Sequence, residues 1–210
     1  IKLRTSGSDG RVLFDAFINR YHRPSRIDVQ DKVQLVFDLG ANIGITMADF
    51  ATRFPEARVI GVELDSDNAG LCRENVSQWA SRCTVVEGAV WPEDGIVEYE
   101  IDERAQYAMS AHPLGTVASP SVRRAPAVSL NTLVARFATS GDVDFIKMDV
   151  EGAERELFTK ATDWRSRVRC MKVELHGDYT ADACVADLER LGFEARGNVE
   201  RVPTVVAVRR

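Results

Sequence analysis

One short glycine turn between a buried strand and a helix constrains this chain more than any other feature. Residues 33–37 are mostly apolar and lead into Asp38, after which Gly40 and Gly44 complete the spacing D-x-G-x-x-x-G. Apolar residues then recur at helical spacing from Ile43 onward. Because glycine has no Cβ, such a turn can take a left-handed conformation and bring a helix close to a ligand. Strand, turn and helix in this order predict the nucleotide crevice of an α/β sheet.

The spacing of the glycine turn, together with an acid at the end of the next strand, indicates which class of ligand the crevice binds. A dinucleotide fingerprint reads G-x-G-x-x-G, whereas alanine and Asn42 follow the first glycine here. The turn resembles the first motif of methyltransferases that use S-adenosylmethionine (SAM). Glu63 ends the predicted strand 57–63 and can accept hydrogen bonds from both ribose hydroxyls, as in SAM and NAD sites. The alternative is a tight turn with a surface acid and no ligand.

Composition indicates a single soluble globular domain over residues 1–210. The chain is 45% hydrophobic and 28% charged, which is ordinary for such a domain. Its net charge of -5 argues against a nucleic-acid partner, and its apolar runs are too short to predict a membrane span. The four cysteines form no C-x-x-C pair, so we expect reduced thiols in a cytoplasmic protein, with disulfides or zinc as the alternative. The sequence leaves the oligomeric state open.

Strands that alternate with helices predict a mostly parallel, seven-stranded sheet with helices on both faces. Two more predicted strands, 192–195 and 204–208, are joined by a polar turn around Gly197 and Asn198. Together they predict a closing antiparallel hairpin, which is characteristic of the class I methyltransferase (Rossmann-like) α/β fold. The other predicted strands and helices are strands 33–38, 57–63, 83–87, 143–149 and 171–176 and helices 43–53, 66–80, 129–138 and 180–190.

Two segments outside this alternation are expected near the ligand. Residues 1–32 predict a helical cap with one apolar face, which either lies over the crevice or packs elsewhere. Residues 95–128 predict a short strand or hairpin and then a long loop, and such loops are often functional. We assign the loop to substrate recognition, with an unremarkable excursion as the alternative. Its candidate contacts are Tyr107, Met109 and His112.

A second informative stretch, residues 143–152, carries a lysine inside a predicted central strand. Such a lysine needs a carboxylate partner, so we expect Lys147 near Glu174 or near an acid of its own strand. Asp149, Glu151 and His176 are expected to meet where two strands end. There His176 can accept a proton from a substrate hydroxyl, unless it is a structural histidine. These acids and His176 offer ligands for Mg²⁺ or Mn²⁺, but their spacing does not predict a metal site.

These motifs together resemble the FkbM family of SAM-dependent methyltransferases. The resemblance rests on residues 37–44, Glu63, the K-x-D-x-E-G-x-E block within 144–154, and residues 173–176, and residues 9–21 resemble the family's opening segment. It implies O-methylation of a hydroxyl, commonly on a sugar or a polyketide-type natural product. The family often has Leu-Asp where this chain has Leu130 and asparagine, so a carboxylate contact there is not expected.

The sequence therefore predicts a SAM-dependent O-methyltransferase with a small-molecule hydroxyl acceptor. A nicotinamide oxidoreductase is disfavoured by the missing fingerprint, and a non-catalytic SAM-binding or interaction module of a larger biosynthetic protein is the alternative. The predicted cofactor residues are Asp38, Gly40, Asn42, Gly44, Glu63, Gly88, Ala89 and Asp149. The predicted catalytic residues are Lys147, Asp149, Glu151 and His176, and the predicted substrate residues are Tyr107, Met109, His112 and Glu174.

Overall fold

A computed structural model gives the architecture of the chain. The strands are β1 (Leu35–Leu39), β2 (Arg58–Glu63), β3 (Cys83–Glu87), β4 (Ala89–Val90), β5 (Gly95–Glu100), β6 (Ala111–Pro113), β7 (Val122–Val128), β8 (Val143–Met148), β9 (Val168–Glu174), β10 (Phe193–Asn198) and β11 (Thr204–Arg209). The α-helices are α1 (Asp9–Phe14), α2 (Ile45–Arg53), α3 (Ser66–Asn75), α4 (Leu130–Phe137), α5 (Glu154–Thr159) and α6 (Ala181–Arg190). The structure describes residues 1–4, 9–23, 32–100, 111–116, 121–198 and 203–210.

The main sheet has seven strands in the order β10-β11-β9-β8-β1-β2-β3. Neighbouring strands are parallel from β9 to β3, whereas β11 runs antiparallel to both β9 and β10. The predicted class I α/β fold with its closing antiparallel hairpin is therefore confirmed. Strand order reverses at β1, between β2 and β8, and ligands of such sheets bind beyond the carboxyl ends of the strands at this point.

Helices cover both faces of the sheet, and the side chains of β1 divide between them. Phe37 and Leu39 belong to the core that α4, α5 and α6 complete on one face. Val36 faces the other core, where it meets Met47 and Phe50 of α2. All five residues of β1 are buried, as a central parallel strand requires. The turn that follows β1 is thus held on a strand fixed from both faces.

Residues 95–128 differ from the prediction. The described part of this segment forms a second sheet, in the order β4-β7-β5-β6, instead of a hairpin and a long loop. The missed strand is β7, whose sequence VRRAPAV contains a proline and alanines and has low intrinsic strand propensity. It pairs antiparallel with β5 and buries Ala125 and Ala127 beside Val97 and Tyr99. Tertiary pairing therefore stabilises a strand that local sequence does not indicate.

Two boundaries also differ from the prediction. Gly197 and Asn198 belong to β10 and pair with β11, so the predicted polar turn around them is wrong. Helix α3 ends at Asn75 instead of residue 80, and a 3₁₀ turn, Ser77–Trp79, follows it. Its N-cap is Asp65, whose carboxylate accepts hydrogen bonds from the first turn. The cap therefore lies directly before the predicted start of the helix at residue 66.

The N-terminal segment packs on the helix that follows the glycine turn. Helix α1 continues into a π-helical turn, Asp15–Asn19, and buried Ala16 contacts Ile43 and Ile45. Phe14 and Ile18 are exposed, so the inward face is narrower than the predicted apolar face. The segment therefore lies next to the turn, while its role as a cap remains a prediction.

Candidate functional site

The glycine turn after β1 lies directly against the end of β8. Gly40 has φ of 78°, and a Cβ built on it would lie 1.8 Å from the Asp149 carbonyl oxygen. Gly44 has φ of 82°, and its Cβ would lie 2.8 Å from Cys72 Sγ. Both positions therefore require glycine because the chain itself leaves no room for a side chain. The turn is further held by the Val62 carbonyl, which accepts hydrogen bonds from the amides of Gly40 and its neighbour at 3.0 Å.

Glu63 joins the turn to the end of β2. Its Oε2 accepts a hydrogen bond from the Asn42 amide at 2.8 Å, and its Oε1 accepts one from the Asp65 amide at 2.9 Å. Burial raises the pKa of Glu63, although these amide hydrogen bonds act in the opposite direction. The Asn68 side chain lies 3.4 Å from the same Oε1. Oε2, with one donor, keeps capacity for a further hydrogen bond, which a ribose hydroxyl would supply.

A crevice of about 600 Å³, including its open mouth, lies beyond the carboxyl ends of β1, β2, β3 and β8. Six predicted cofactor residues line it, namely Gly40, Asn42, Glu63, Gly88, Ala89 and Asp149. Asp38 and Gly44 are not among its lining residues. Buried Asp38 instead accepts a hydrogen bond from Thr46 and lies 3.4 Å from Lys147 Nζ, so it supports the turn from beneath.

Lys147 connects the two strands at the centre of the site. Its Nζ donates to the Gly40 carbonyl at 2.8 Å and lies 3.2 Å from Asp149 Oδ2. Burial alone would lower the pKa of Lys147, but the charges of Asp149 and Asp38 outweigh it and raise the pKa. The expectation of a carboxylate on the lysine's own strand is thus met by Asp149. Lys147 therefore stabilises the glycine turn directly, through its hydrogen bond to the Gly40 carbonyl.

His176 stands between carboxylates just after β9 ends. Its Nδ1 lies 2.7 Å from Oε1 of Glu154, and its Nε2 lies 3.3 Å from Glu151 and 3.5 Å from Asp149. Glu174 lies 3.9 Å from the same Nε2. Burial alone would lower the pKa of His176, but the hydrogen bond with Glu154 and the nearby negative charges raise it to about 9. The raised pKa favours the imidazolium form of His176, which can donate from both ring nitrogens.

Two carboxyl groups near Nε2 of His176 also have raised pKa values. Burial raises the pKa of Glu151 to about 7 against the opposing charge of His176. Burial likewise raises the pKa of Glu174 to about 7. Asp149, Glu151 and His176 offer ligand atoms within 4.8 Å of one another, a span that one divalent cation can bridge. Their mutual ion pairs account for this arrangement without a cation, and we interpret the set as an ion-paired cluster.

Comparison with known proteins assigns the family. The methyltransferase FkbM domain matches residues 38–195, which is most of the chain. The chain belongs to the FkbM methyltransferase family. The match begins at Asp38, so the resemblance of residues 9–21 to the family lies outside it. No curated protein is significantly similar to this FkbM methyltransferase.

Several solved methyltransferase structures share the fold of this FkbM methyltransferase. Precorrin-6y C5,15-methyltransferase from Geobacter metallireducens GS-15 is 15% identical, with 100% of this chain and 92% of that chain covered and a TM-score of 0.53. The N-terminal domain of human METTL16, solved in complex with SAH, is 12% identical, with 99% and 72% covered and a TM-score of 0.51. An O-methyltransferase family protein from Burkholderia thailandensis is 12% identical, with 94% and 56% covered and a TM-score of 0.51. At these identities the likeness shows the fold alone.

The predicted substrate residues of this FkbM methyltransferase are only partly described. Tyr107 and Met109 lie outside the described residues. His112 lies in β6, where its neighbour Ala111, but not His112 itself, is among the residues that line the crevice. Glu174 lies in the cluster around His176.

None of the helices in the described part of the chain is long and apolar enough to cross a bilayer.

Sequence reasoning assigned no role to Glu154, the last acid of the K-x-D-x-E-G-x-E block. Its side chain is fully buried, and it contacts His176. The signal was present, because a charged residue inside such a motif and next to an apolar helix face needs a partner. The position of that partner, on a strand further along the chain, was not readable from spacing. Asn68 was missed for the same reason, since it approaches Glu63 from α3.

Proposed function

We propose that this FkbM methyltransferase transfers the methyl group of SAM to a hydroxyl of a small molecule, such as a sugar or a natural product. The observation that carries the proposal is the cluster of His176 and carboxylates beside the glycine turn. A hydroxyl group loses its proton when its oxygen is methylated, so a transferase acting on oxygen needs a proton acceptor at the methyl end of the cofactor. Glu151 and Asp149 line the crevice, and Asp149 abuts the turn.

The residues of the crevice fit SAM by their chemistry. The carboxylate of Glu63 would hold the ribose hydroxyls, and Asn68 lines the crevice beside it. Gly88 and Ala89, at the end of β3, would border the adenine. The turn at Gly40 would face the methionine part, whose lack of a phosphate agrees with the absence of a G-x-G-x-x-G sequence there.

The protein's part in the reaction is mainly alignment and proton acceptance. SAM supplies an electrophilic methyl group, which passes to the acceptor oxygen while the C–S bond breaks and its electron pair stays on sulfur. The residues that line the crevice would hold the donor and align it with the acceptor. A carboxylate of the cluster accepts the hydroxyl proton. The half-buried acids at the mouth of the crevice would also bind further hydroxyls of a polyol acceptor.

The cysteines bear on where this reaction would take place. Cys72, Cys83, Cys170 and Cys184 are buried thiols that form no disulfide. Buried thiols of this kind are typical of proteins in a reducing compartment. We therefore propose a cytoplasmic location and a small-molecule acceptor, in agreement with the net charge of -5.

Radiolabelled SAM tests the proposed activity. The purified protein is incubated with methyl-labelled SAM and a panel of sugars and hydroxylated natural products, and the product is examined by NMR. We expect a new methyl ether on at least one acceptor. A methyl group on nitrogen or carbon would contradict O-methylation. SAM binding without transfer to any acceptor would favour the non-catalytic module instead.

A pair of alanine variants tests the proposed site. Replacing His176 with alanine should lower turnover at least about tenfold, while SAM affinity changes less than about twofold, because His176 is not among the residues that line the crevice. Arg196→Ala, at an exposed position of β10, is the control. Unchanged turnover of His176→Ala would reduce His176 to a structural role.

A further inference from the structure

Glu154 is a buried acid, and within the described part of the chain its contact with His176 explains its position. It begins α5, its side chain has no exposed surface, and its Oε1 lies 2.7 Å from His176 Nδ1. Its Oε2 has no hydrogen-bond partner among the residues that the structure describes. A buried carboxylate with so few donors is costly unless it faces a positive charge. Within the described ranges of the chain, His176 is the group at hydrogen-bond distance that can supply this charge.

The second ring nitrogen of His176 also lies close to carboxylates and needs a proton to donate to them. Nε2 of His176 lies 3.3 Å from a Glu151 oxygen and 3.5 Å from an Asp149 oxygen. A neutral imidazole donates from one nitrogen only, so it would leave one of these carboxylate contacts without a proton. An imidazolium donates from both. The geometry of the described residues therefore calls for a protonated His176 held between Glu154 and the crevice acids.

We propose that Glu154 is a positioning residue that keeps His176 as a fixed cation, so that Glu151 and not His176 accepts the proton of the methyl acceptor. This inference rests on the proposed function and deepens it. The acceptor O–H bond breaks as the O–CH₃ bond forms, the proton goes to a Glu151 carboxylate oxygen, and the C–S electron pair stays on sulfur. His176 keeps its proton throughout, and its charge stabilises the Glu151 carboxylate before transfer.

Glu151 is better placed for this role than its neighbours. It lines the crevice, whereas Glu174 and His176 are not among the lining residues. Asp149 also lines the crevice but is already held by Lys147 at 3.2 Å. The side chain of Glu151 is 22% exposed, so its proton can pass on to solvent. Its raised pKa of about 7 suits a group that must gain and lose a proton near neutral pH.

The groups around His176 fix the expected pH dependence. Activity should rise as Glu151 ionises near pH 7 and fall as His176 loses its proton near pH 9. The buried thiol of Cys184, on α6, has its pKa raised to about 12 by burial and so stays neutral in this range. The other charged groups that face His176 or its partners are Glu154 on α5, Asp149 after β8, Glu174 on β9, Lys147 through Asp149, and the exposed pair of Arg155 and Asp178.

The experiment compares the pH profile of turnover in wild type and Glu154→Gln. Glutamine keeps the size of the side chain but carries no charge, so the pKa of His176 should fall toward its ordinary value of 6.5. We expect the alkaline limb of the profile to move down by at least about one pH unit while the acid limb stays. SAM affinity should be unchanged. Glu154→Asp, which keeps the charge, should restore most of the alkaline limb, and Glu156→Gln on the same helix is the control.

Other outcomes would overturn the inference. If His176 were the proton acceptor, wild-type activity would rise only toward pH 9, and Glu154→Gln would move this rise to lower pH. If both limbs of the pH profile of Glu154→Gln match those of wild type and only the melting temperature falls, the role of Glu154 is purely structural. Activity that EDTA abolishes and Mg²⁺ restores would assign the cluster to a metal.

A direct titration keeps the test independent of turnover and of variant folding. The chain has three histidines, so the His176 imidazole can be followed by NMR in the wild-type protein. We expect it to be doubly protonated at pH 7. A neutral ring at pH 7 in a protein that binds S-adenosylhomocysteine (SAH) would overturn the inference and leave the proposed function intact. Failure of the wild type to bind SAH or SAM would instead overturn the function.

Discussion

Gly40 is the residue at which one added methyl group should do most damage. Its Cβ would overlap the Asp149 carbonyl, and its φ of 78° disfavours any other residue. We predict that Gly40→Ala lowers the free energy of unfolding by at least about 2 kcal/mol, through backbone strain and overpacking. It should also abolish SAH binding. Urea unfolding and calorimetry would measure the two effects.

The matched control is Gly70→Ala. Gly70 lies within α3, and a Cβ there meets no atom within 4 Å. Alanine should therefore stabilise the helix by about 0.5 to 1 kcal/mol. A Gly40→Ala protein as stable as the wild type would contradict the geometry of the turn.

Glu63 should determine cofactor affinity more than stability. Glutamine at this position would lose the charge and would set an amide N–H against a backbone amide of Asn42 or Asp65. We predict that Glu63→Gln weakens SAH binding roughly 10- to 100-fold, as expected for loss of hydrogen bonds to a charged acceptor. Calorimetry would measure the dissociation constant, with Glu56→Gln in an exposed turn as the control. Equal affinity in wild type and Glu63→Gln would refute a ribose contact.

Several crevice residues were predictable because each belongs to a local pattern. Gly40, Asn42 and Glu63 follow from a strand, a turn and the end of the next strand, and all three line the crevice. The raised pKa of His176 was not predictable, since it depends on Glu154 and Glu151 meeting it in space. Reasoning from the ordinary pKa of imidazole therefore assigned His176 the role of proton acceptor, and that role stays a prediction that the NMR titration tests.

At the scale of elements, the N-terminal segment is attached to α2 by an ion-pair network. Asp49 of α2 accepts hydrogen bonds from His22 at 2.7 Å and from Arg23 at 2.5 Å and 2.9 Å. Burial raises the pKa of Asp49, but these two partners outweigh it and hold the pKa at about 2. The ordinary value is 3.8. Asp49 therefore stabilises the fold fully above its ordinary pKa, and this contribution is lost as pH falls toward 2.

Replacement of Asp49 by asparagine should show this dependence. Asp49→Asn should cost about 2 kcal/mol at pH 6, and the difference from wild type should shrink to under about 1 kcal/mol at pH 2. Urea unfolding of both proteins at several pH values would measure it. Asp163→Asn, at an exposed position, should show no such change. A difference that does not vary with pH would mean that the charge of Asp49 is not what attaches the N-terminal segment.

Elements were predictable where periodicity was strong. The strands and helices from β1 to β3 agree with prediction within a few residues, because each carries its own apolar pattern. Strand β7 was not predictable, since arginines and a proline break its pattern and its pairing with β4 and β5 stabilises it instead. Gly197 was assigned to a turn because glycine favours turns, yet it pairs with Val205 inside the hairpin.

For the whole molecule, the alternation of strands and helices determined the class of fold, and the closing hairpin identified it further. The order β10-β11-β9-β8-β1-β2-β3 brings four strand ends to one crevice, although the chain segments that form it are far apart in sequence. This explains why a few short motifs were sufficient to predict the family. Recognition of the acceptor by the segment that forms most of the second sheet stays a prediction, since it depends on side chains whose partners the sequence does not reveal.

The crevice beyond β1, β2, β3 and β8 should bind the methyltransferase cofactor, and every role assigned to its residues depends on this binding. The most direct measurement is a calorimetric titration of the wild-type protein with SAM and with SAH, in EDTA and again with Mg²⁺. We predict one site per chain and dissociation constants on the order of micromolar for both ligands, with or without Mg²⁺. If neither SAM nor SAH binds under either condition, the assignment of this crevice as the cofactor site is wrong.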